Sequence, residues 1–232
     1  MVLRNFWKVP SAWFKLCHYA KHTDKYSYEE KYNHIRYILR LAVNTGNINL
    51  KVTGLENIPK EPGVLLCGNH QGMFDILAVV ASFEQPIAAV LKKELAEIPF
   101  LKQIIACTKS LPMDREDIRQ SMKVIQSVIK ELGAGRTFLI FPEGTRSKNG
   151  NKMLEFHSGT FKCATKSKCT IQPFALIDSF KVLDHNGIDK VNVQLHYLEP
   201  IPYDEYKDMN TTEIATMVHD RVQQKIAELE VA

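Results

Sequence analysis

The chain of 232 residues has no apolar run long enough to cross a bilayer. Its longest apolar stretch, residues 76–91, is split by Glu84, Gln85 and Pro86, whereas a spanning helix needs about 20 consecutive apolar residues. The first 15 positions also lack a signal-peptide core, because basic residues and a proline interrupt them. We therefore expect no transmembrane helix and no signal peptide.

Several kinds of catalytic or structural site are also missing. The five cysteines form no C-x-x-C pair, and Cys67 and Cys107 lie in apolar surroundings typical of small core residues, which favours a reducing compartment. No His/Cys group has metal-ligand spacing and no glycine-rich loop suits a nucleotide phosphate, so we predict no metal and no bound cofactor. The absence of a G-x-S-x-G nucleophile elbow argues against a hydrolase.

Charge is unevenly distributed along the chain. Hydrophobic residues make up 45% and charged residues 24% of the sequence, as in a folded globular protein. Residues 1–50 hold eight of the Lys and Arg residues but only three Asp and Glu, so the basic character belongs to the N-terminal segment. A basic segment can bind nucleic acid or an anionic membrane.

The N-terminal segment has the pattern of two amphipathic helices. Apolar residues recur at three- and four-residue intervals in the first, and Ser27 with Glu30 predicts a capping box that starts the second, which Gly46 ends. The pair either covers a core or lies on an anionic bilayer, and the aromatic stripe favours a membrane over nucleic acid. On the second interpretation residues 1–46 form a membrane-associating segment and 47–232 an α/β domain. The expected membrane contacts are Trp7, Trp13 and Phe14.

From residue 47 onward, strand and helix patterns alternate. Short apolar or alternating runs predict strands, and the clearest helical stripe combines Ile118, Met122, Ile125, Ile129 and Leu132. Alternation of this kind predicts an α/β fold with a largely parallel sheet flanked by helices, preceded by the amphipathic two-helix segment. The predicted strands are 48–52, 64–67, 87–91, 137–141, 170–177 and 191–197.

Two polar blocks directly follow predicted strands: NHQGMFD at residues 69–75 and FPEGTRS at residues 141–147. Ligands of α/β sheets bind beyond the carboxyl ends of the strands, so both blocks can share one edge. His70 suits a general base and Asp75 its orienting carboxylate, provided that His70 lies in the turn before a helix and Asp75 in its first turn. The alternative is an N-capping aspartate beside an unrelated loop histidine.

These blocks resemble the first and third signature blocks of the glycerolipid acyltransferases, especially the 1-acyl-glycerol-3-phosphate (lysophosphatidic acid) acyltransferases. Residues 113–115 (Met-Asp-Arg) are similar to the second block and residues 171–175 to the fourth, and Lys92 precedes a leucine as in the family. The resemblance covers about residues 48–200. It departs from the family pattern at residues 108–112, where this chain has Thr-Lys-Ser-Leu-Pro and the family has an apolar strand that begins with glycine.

The resemblance implies acyl transfer from a thioester, acyl-CoA or acyl-carrier protein, to the sn-2 hydroxyl of lysophosphatidate, without an acyl-enzyme. It implies a peripheral enzyme on the cytoplasmic face of a membrane, in contact with anionic lipids. Acylation of glycerol 3-phosphate or another lysolipid is an alternative, and a non-catalytic module that binds lipid surfaces is a second. The expected catalytic residues are His70, Asp75 and Glu143. The expected phosphate-binding residues are Arg115, Gly144, Thr145, Arg146 and Lys92.

Overall fold

The computed structural model describes residues 8–182 and 190–231 of the chain as alternating helices and strands. The strands are β1 (Ile48–Thr53), β2 (Val64–Gly68), β3 (Ile87–Lys92), β4 (Leu111–Met113), β5 (Thr137–Ile140), β6 (Thr170–Ile177) and β7 (Val191–Tyr197). The α-helices are α1 (Lys8–Lys21), α2 (Tyr28–Thr45), α3 (Asp75–Ser82), α4 (Leu101–Thr108), α5 (Ile118–Gly133), α6 (Lys162–Ser167), α7 (Tyr203–Tyr206) and α8 (Thr211–Val231).

The seven strands form one sheet in the order β1-β7-β6-β2-β5-β3-β4. All neighbours pair in parallel except β6 and β7, so β1 and β7 run opposite to the other five strands. Five parallel strands joined by helical crossovers confirm the predicted α/β class. The carboxyl ends of β2, β5 and β6 are therefore neighbours at one end of the sheet. The two predicted polar blocks follow β2 and β5 there.

Helices cover both faces of the sheet, and the strand residues alternate between two apolar cores. In β2, Leu66 packs with α1–α4, whereas Leu65 and Cys67 pack with α5, α6 and α8. All five residues of β2 are buried, as expected for a central strand covered on both faces. The site at the end of β2 thus rests on a strand that is buried along its whole length.

The N-terminal helices share the core of the sheet. Leu16 and Tyr19 of α1 and Tyr32 and Ile35 of α2 are at most 2% exposed and pack in the same cluster as β2 and β6. Ser27 caps α2 by accepting the Glu30 N–H at 3.0 Å, as predicted. The Glu30 carboxylate does not complete the capping box, because it accepts the Tyr19 hydroxyl at 2.7 Å and so links the two helices.

The surface of α1 differs from the predicted stripe. The helix buries Ala12, Leu16 and Tyr19, while Phe14 is 71% exposed. Trp13 is partly buried and stacks on Phe100 with ring centroids 6.4 Å apart. Trp7 lies outside the described residues. Of the three predicted membrane contacts, Phe14 is therefore the one that the described structure presents to solvent.

Helix α5 buries only the later part of the predicted stripe, since Ile125 and Ile129 are partly buried against the core but the first two members are exposed. Its buried residues are Val124, Val128 and Leu132, whereas Ile118 is 75% and Met122 58% exposed. The predicted stripe was wrong for its first two members. The first turns of α5 follow the short edge strand β4, and an edge strand leaves less sheet surface for a helix to cover.

Among the residues that the structure describes, no helix combines the length and the apolarity that crossing a bilayer requires.

Candidate active site

The predicted site lies where β2, β5 and β6 end side by side. The loop after β2 carries His70, and the loop after β5 carries Glu143. Gly68, the last residue of β2, permits the close strand packing that this convergence needs. A Cβ atom at Gly68 would lie 2.3 Å from the carbonyl oxygen of Phe174 in β6, so only glycine fits.

His70 and Asp75 form the predicted pair. Nδ1 of His70 lies 2.7 Å from Oδ2 of Asp75, with His70 in the turn and Asp75 at the first position of α3. The same oxygen accepts the backbone N–H groups of Gln71 at 2.6 Å and Gly72 at 3.0 Å. Both donors precede α3, so Asp75 organises the histidine turn and does not act as the N-cap of its helix.

The imidazole of His70 is fixed on two sides and accessible on a third. Its ring stacks on Phe141, with centroids 4.1 Å apart and planes 14° apart, and Phe141 in turn packs edge-on against Phe174. The side chain is 19% exposed. Within the described residues Nε2 has no hydrogen-bond partner. With Nδ1–H directed to Asp75, the lone pair of Nε2 faces outward, which is the tautomer that a general base requires.

Glu143 joins two loops through its carboxylate. Oε1 accepts the backbone N–H of His70 at 2.7 Å and Oε2 accepts that of Leu154 at 3.1 Å. The side chain is buried, and this burial raises the pKa of Glu143 to about 7; the nearby Asp75 also raises it, while the two backbone donors lower it. Glu143 therefore fixes the backbone of the histidine turn, whereas Asp75 fixes its ring.

The loop that follows Glu143 is tied to the histidine turn. The N–H of Ser147 donates to the carbonyl oxygen of His70 at 2.9 Å. Gly144 has φ 69°, and a Cβ atom there would lie 2.9 Å from the ring of His157, so the loop packs against this histidine. Thr145 is exposed. Arg146 directly precedes Ser147, which places it beside the His70 turn.

The other predicted phosphate ligands lie farther along the same edge. Arg115 follows β4, three strands from β2, a separation of about 14 Å at the usual strand spacing. It is exposed, and the pKa of its guanidinium is lowered, first by partial desolvation, against an opposing effect of Glu94. Lys92 ends β3 and forms an ion pair with Glu94 at 3.3 Å. Arg146 and Lys148 flank Ser147, so of the predicted phosphate ligands Arg146 is the basic residue that adjoins the histidine turn along the loop.

Three amide side chains outside the predicted catalytic and phosphate-binding residues hold the loops at this end of the sheet together. Asn69 donates to the carbonyl oxygen of Leu176 at 2.8 Å and accepts its N–H at 2.7 Å, which joins the turn after β2 to β6. Gln71 donates to Asn151 at 2.8 Å and to Leu176 at 3.0 Å. The position of Asn69 and Gln71 inside the first block was an available signal. Asn151 lies in a loop of no distinctive composition.

The raised pKa of Glu143 predicts a pH-dependent stability. The native state keeps a proton that the unfolded chain, with an ordinary pKa of 4.5, releases first, so the contribution of Glu143 to stability falls as the pH rises through this interval. The full penalty above the native pKa is about 3 kcal/mol. We expect the free energy of unfolding of wild type, minus that of Glu143→Gln, to fall from about pH 5 to pH 7 and then level off.

Urea unfolding of the two proteins across this range measures the difference, and the other titrating groups cancel because both proteins contain them. A difference that stays constant or rises with pH would contradict the assigned environment of Glu143.

The chain is similar to known proteins of one family. Residues 49–177 match the family model described as Acyltransferase. The chain is 29% identical over 202 residues to the 1-acyl-sn-glycerol-3-phosphate acyltransferase of Borreliella burgdorferi, which covers 85% of this chain and 79% of that protein. It is 32% identical over 166 residues to the enzyme of the same name from Helicobacter pylori, covering 67% of this chain and 70% of the relative.

The fold is similar to the crystal structure of the 1-acyl-sn-glycerophosphate (LPA) acyltransferase from Thermotoga maritima. The TM-score is 0.76 at 24% identity, and the match covers 88% of this chain and 82% of the other. The family match extends from β1 to the end of β6 and contains both polar blocks. This chain belongs to the acyltransferase family.

Proposed function

We propose that the chain transfers a fatty acyl group from a thioester donor to the sn-2 hydroxyl of 1-acyl-glycerol-3-phosphate and so forms phosphatidate. The 2.7 Å contact between His70 Nδ1 and Asp75 Oδ2, which leaves Nε2 outward as a base, carries the proposal. The names of the Borreliella and Helicobacter relatives support this acceptor. Acyl-CoA and acyl-carrier protein both supply the required thioester.

The proposed reaction is direct attack by the acceptor. Nε2 of His70 takes the proton of the hydroxyl as its oxygen bonds to the thioester carbonyl carbon, and the imidazolium is stabilised by the buried carboxylate of Asp75. The tetrahedral intermediate then expels the thiolate, which takes the proton from Nε2. The products are an ester and a free thiol, and His70 returns to its starting state. No enzyme nucleophile takes part.

The phosphate of the acceptor requires cationic partners at the same edge. Arginine binds phosphate oxygens with a planar fork of donors, and Arg146 adjoins the His70 turn through the Ser147 N–H. We assign Arg146 as the main ligand, with the backbone of Gly144 and Thr145 beside it. Arg115 and Lys92 face the same edge from the outer strands and suit a supporting role.

The proposed site works at a membrane surface because its acceptor and product are lipids. The exposed ring of Phe14 and the basic residues of the N-terminal segment suit insertion into an anionic bilayer. We propose a peripheral protein on the cytoplasmic face, where reducing conditions suit five free cysteines.

Replacing His70 tests the base. We expect His70→Ala to lower kcat by about 10²–10⁴-fold because the base is lost. Asp75→Asn should also lower kcat substantially, because the carboxylate that fixes the tautomer of His70 is lost. Initial rates with both donor types and with lysophosphatidate, glycerol 3-phosphate and lysophosphatidylcholine also identify the acceptor. His219→Ala, on α8, is the matched control. Near wild-type turnover in folded His70→Ala would rule out the assigned base.

Replacing Arg146 tests phosphate recognition. Removal of one partner of a desolvated charged pair costs about 2–5 kcal/mol, so Arg146→Ala should raise the KM for lysophosphatidate at least about 30-fold and leave the donor KM nearly unchanged. Lys148→Ala removes an exposed cation of the same loop and serves as the control. If only kcat changes, Arg146 does not bind the phosphate.

Phe14 provides a clean test of membrane binding because its ring is exposed. Burial of a phenylalanine contributes about 1.5–3 kcal/mol, so Phe14→Glu should weaken co-sedimentation with anionic vesicles at least about tenfold without lowering the melting temperature. Met209→Glu adds the same charge at another partly exposed apolar residue and should bind like wild type. Equal binding by all three proteins would refute the interfacial role of α1.

A further inference from the structure

Asp75 has a fourth hydrogen-bond donor that comes from a distant part of the chain. The carboxylate is completely buried, and its Oδ2 serves His70, Gln71 and Gly72. Its other oxygen, Oδ1, accepts the hydroxyl of Ser179, which lies just beyond the end of β6 and is itself completely buried. This contact joins residues 104 positions apart.

Ser179 is held in place by the amide of Gln71. The backbone N–H of Ser179 donates to Oε1 of Gln71 at 3.2 Å, and the hydroxyl oxygen lies 3.1 Å from the same atom. A hydroxyl has one proton to donate, and the contact with Asp75 is the shorter of its two. The proton is therefore directed to the carboxylate, while the backbone N–H satisfies the amide oxygen.

The amide of Gln71 is in turn fixed by the loop after β5. Its Nε2 donates to Oδ1 of Asn151, and that oxygen also accepts the N–H of Asp178 at 2.9 Å. Three loops, after β2, β5 and β6, thus meet in one polar network, which is half-buried at Asn151 and Asp178 and completely buried at Asp75 and Ser179. At the completely buried end of this network the hydrogen bonds fix side-chain geometry, because a polar group that loses its partner there is costly.

We propose that Ser179 is a positioning residue that sets the orientation and basicity of the Asp75 carboxylate, and through it the proton affinity of His70. The proposal rests on the function proposed above. Ser179 does not touch the reacting atoms: it holds Oδ1 so that Oδ2 remains aligned with Nδ1 of His70. The residue lies outside the sequence blocks on which the resemblance rests.

Loss of the hydroxyl has a defined electrostatic consequence. In Ser179→Ala, Oδ1 becomes a buried anionic oxygen with no donor from the described part of the chain, and a carboxylate that loses a donor binds a proton more strongly. The dyad then holds its proton to a higher pH. Among the described residues, Glu143 and Asp178 are the acids that hydrogen-bond to this turn or its network, with Lys181 paired to Asp178 at 2.8 Å, and all three are unchanged in the variant.

The first measurement is the titration of His70 by NMR in the full chain labelled at its eight histidines, with His70→Ala to assign the signal. We expect the His70 titration to move to higher pH in Ser179→Ala, to move less in Ser179→Cys, a weaker donor of similar size, and to stay near wild type in Ser179→Thr. Ser167→Ala loses a hydroxyl that donates to the backbone carbonyl oxygen of Cys163 at 2.6 Å and serves as the matched control.

The second measurement is the pH profile of acyl transfer. We expect kcat of Ser179→Ala to fall about 10–100-fold, with both KM values nearly unchanged and the acidic limb shifted to higher pH. A variant with wild-type His70 titration, whatever its rate, would overturn the proposal, because a purely structural role lowers the folded fraction without moving the titration. The titration needs no substrate, so it decides this proposal even if no acceptor is acylated.

Discussion

The site depends on one constraint, the burial of the Asp75 carboxylate. A fully buried charge is tolerated only when hydrogen bonds replace its hydration, and Asp75 receives four donors from the turn after β2 and from Ser179. These donors reach the carboxylate only if the turn after β2 and the chain beyond β6 each adopt one particular conformation. The hydrogen bonds to this carboxylate therefore fix the conformation of both the histidine turn and the chain beyond β6. The same hydrogen bonds orient the ring of His70.

The order of strands in the sheet makes these hydrogen bonds to Asp75 possible. Because β2 lies between β6 and β5, the turn at its end can receive a side chain from each neighbour. The contact with β6 supplies Ser179, and the contact with the loop after β5 supplies Glu143. A site built at the junction of three neighbouring parallel strands is held by the sheet core beneath it, where Leu65 and Leu66 are completely buried.

The sequence predicted what depends on local spacing. His70 and Asp75 are five residues apart, so their contact follows from one turn and the start of one helix, and the strands that flank the site follow from apolar runs. Ser179 could not be found in this way, since its contact with Asp75 spans 104 residues and needs the strand order. The buried face of α5 was also misjudged, because Ile118 and Met122 have core-forming side chains but lie beside an edge strand.

The two buried carboxylates beside His70 have different tasks, and their environments separate them. Asp75 receives three donors on Oδ2 and one on Oδ1, whereas Glu143 has one backbone donor on each oxygen and a pKa raised to about 7 by burial. When Glu143 binds a proton, one of its oxygens becomes a donor and no longer accepts a backbone N–H strongly. One of the two attachments, to His70 or to Leu154, is then weakened. Full attachment of both loops therefore requires ionised Glu143, and burial makes this ionised state unfavourable, so the fixed histidine turn is obtained at a cost in stability.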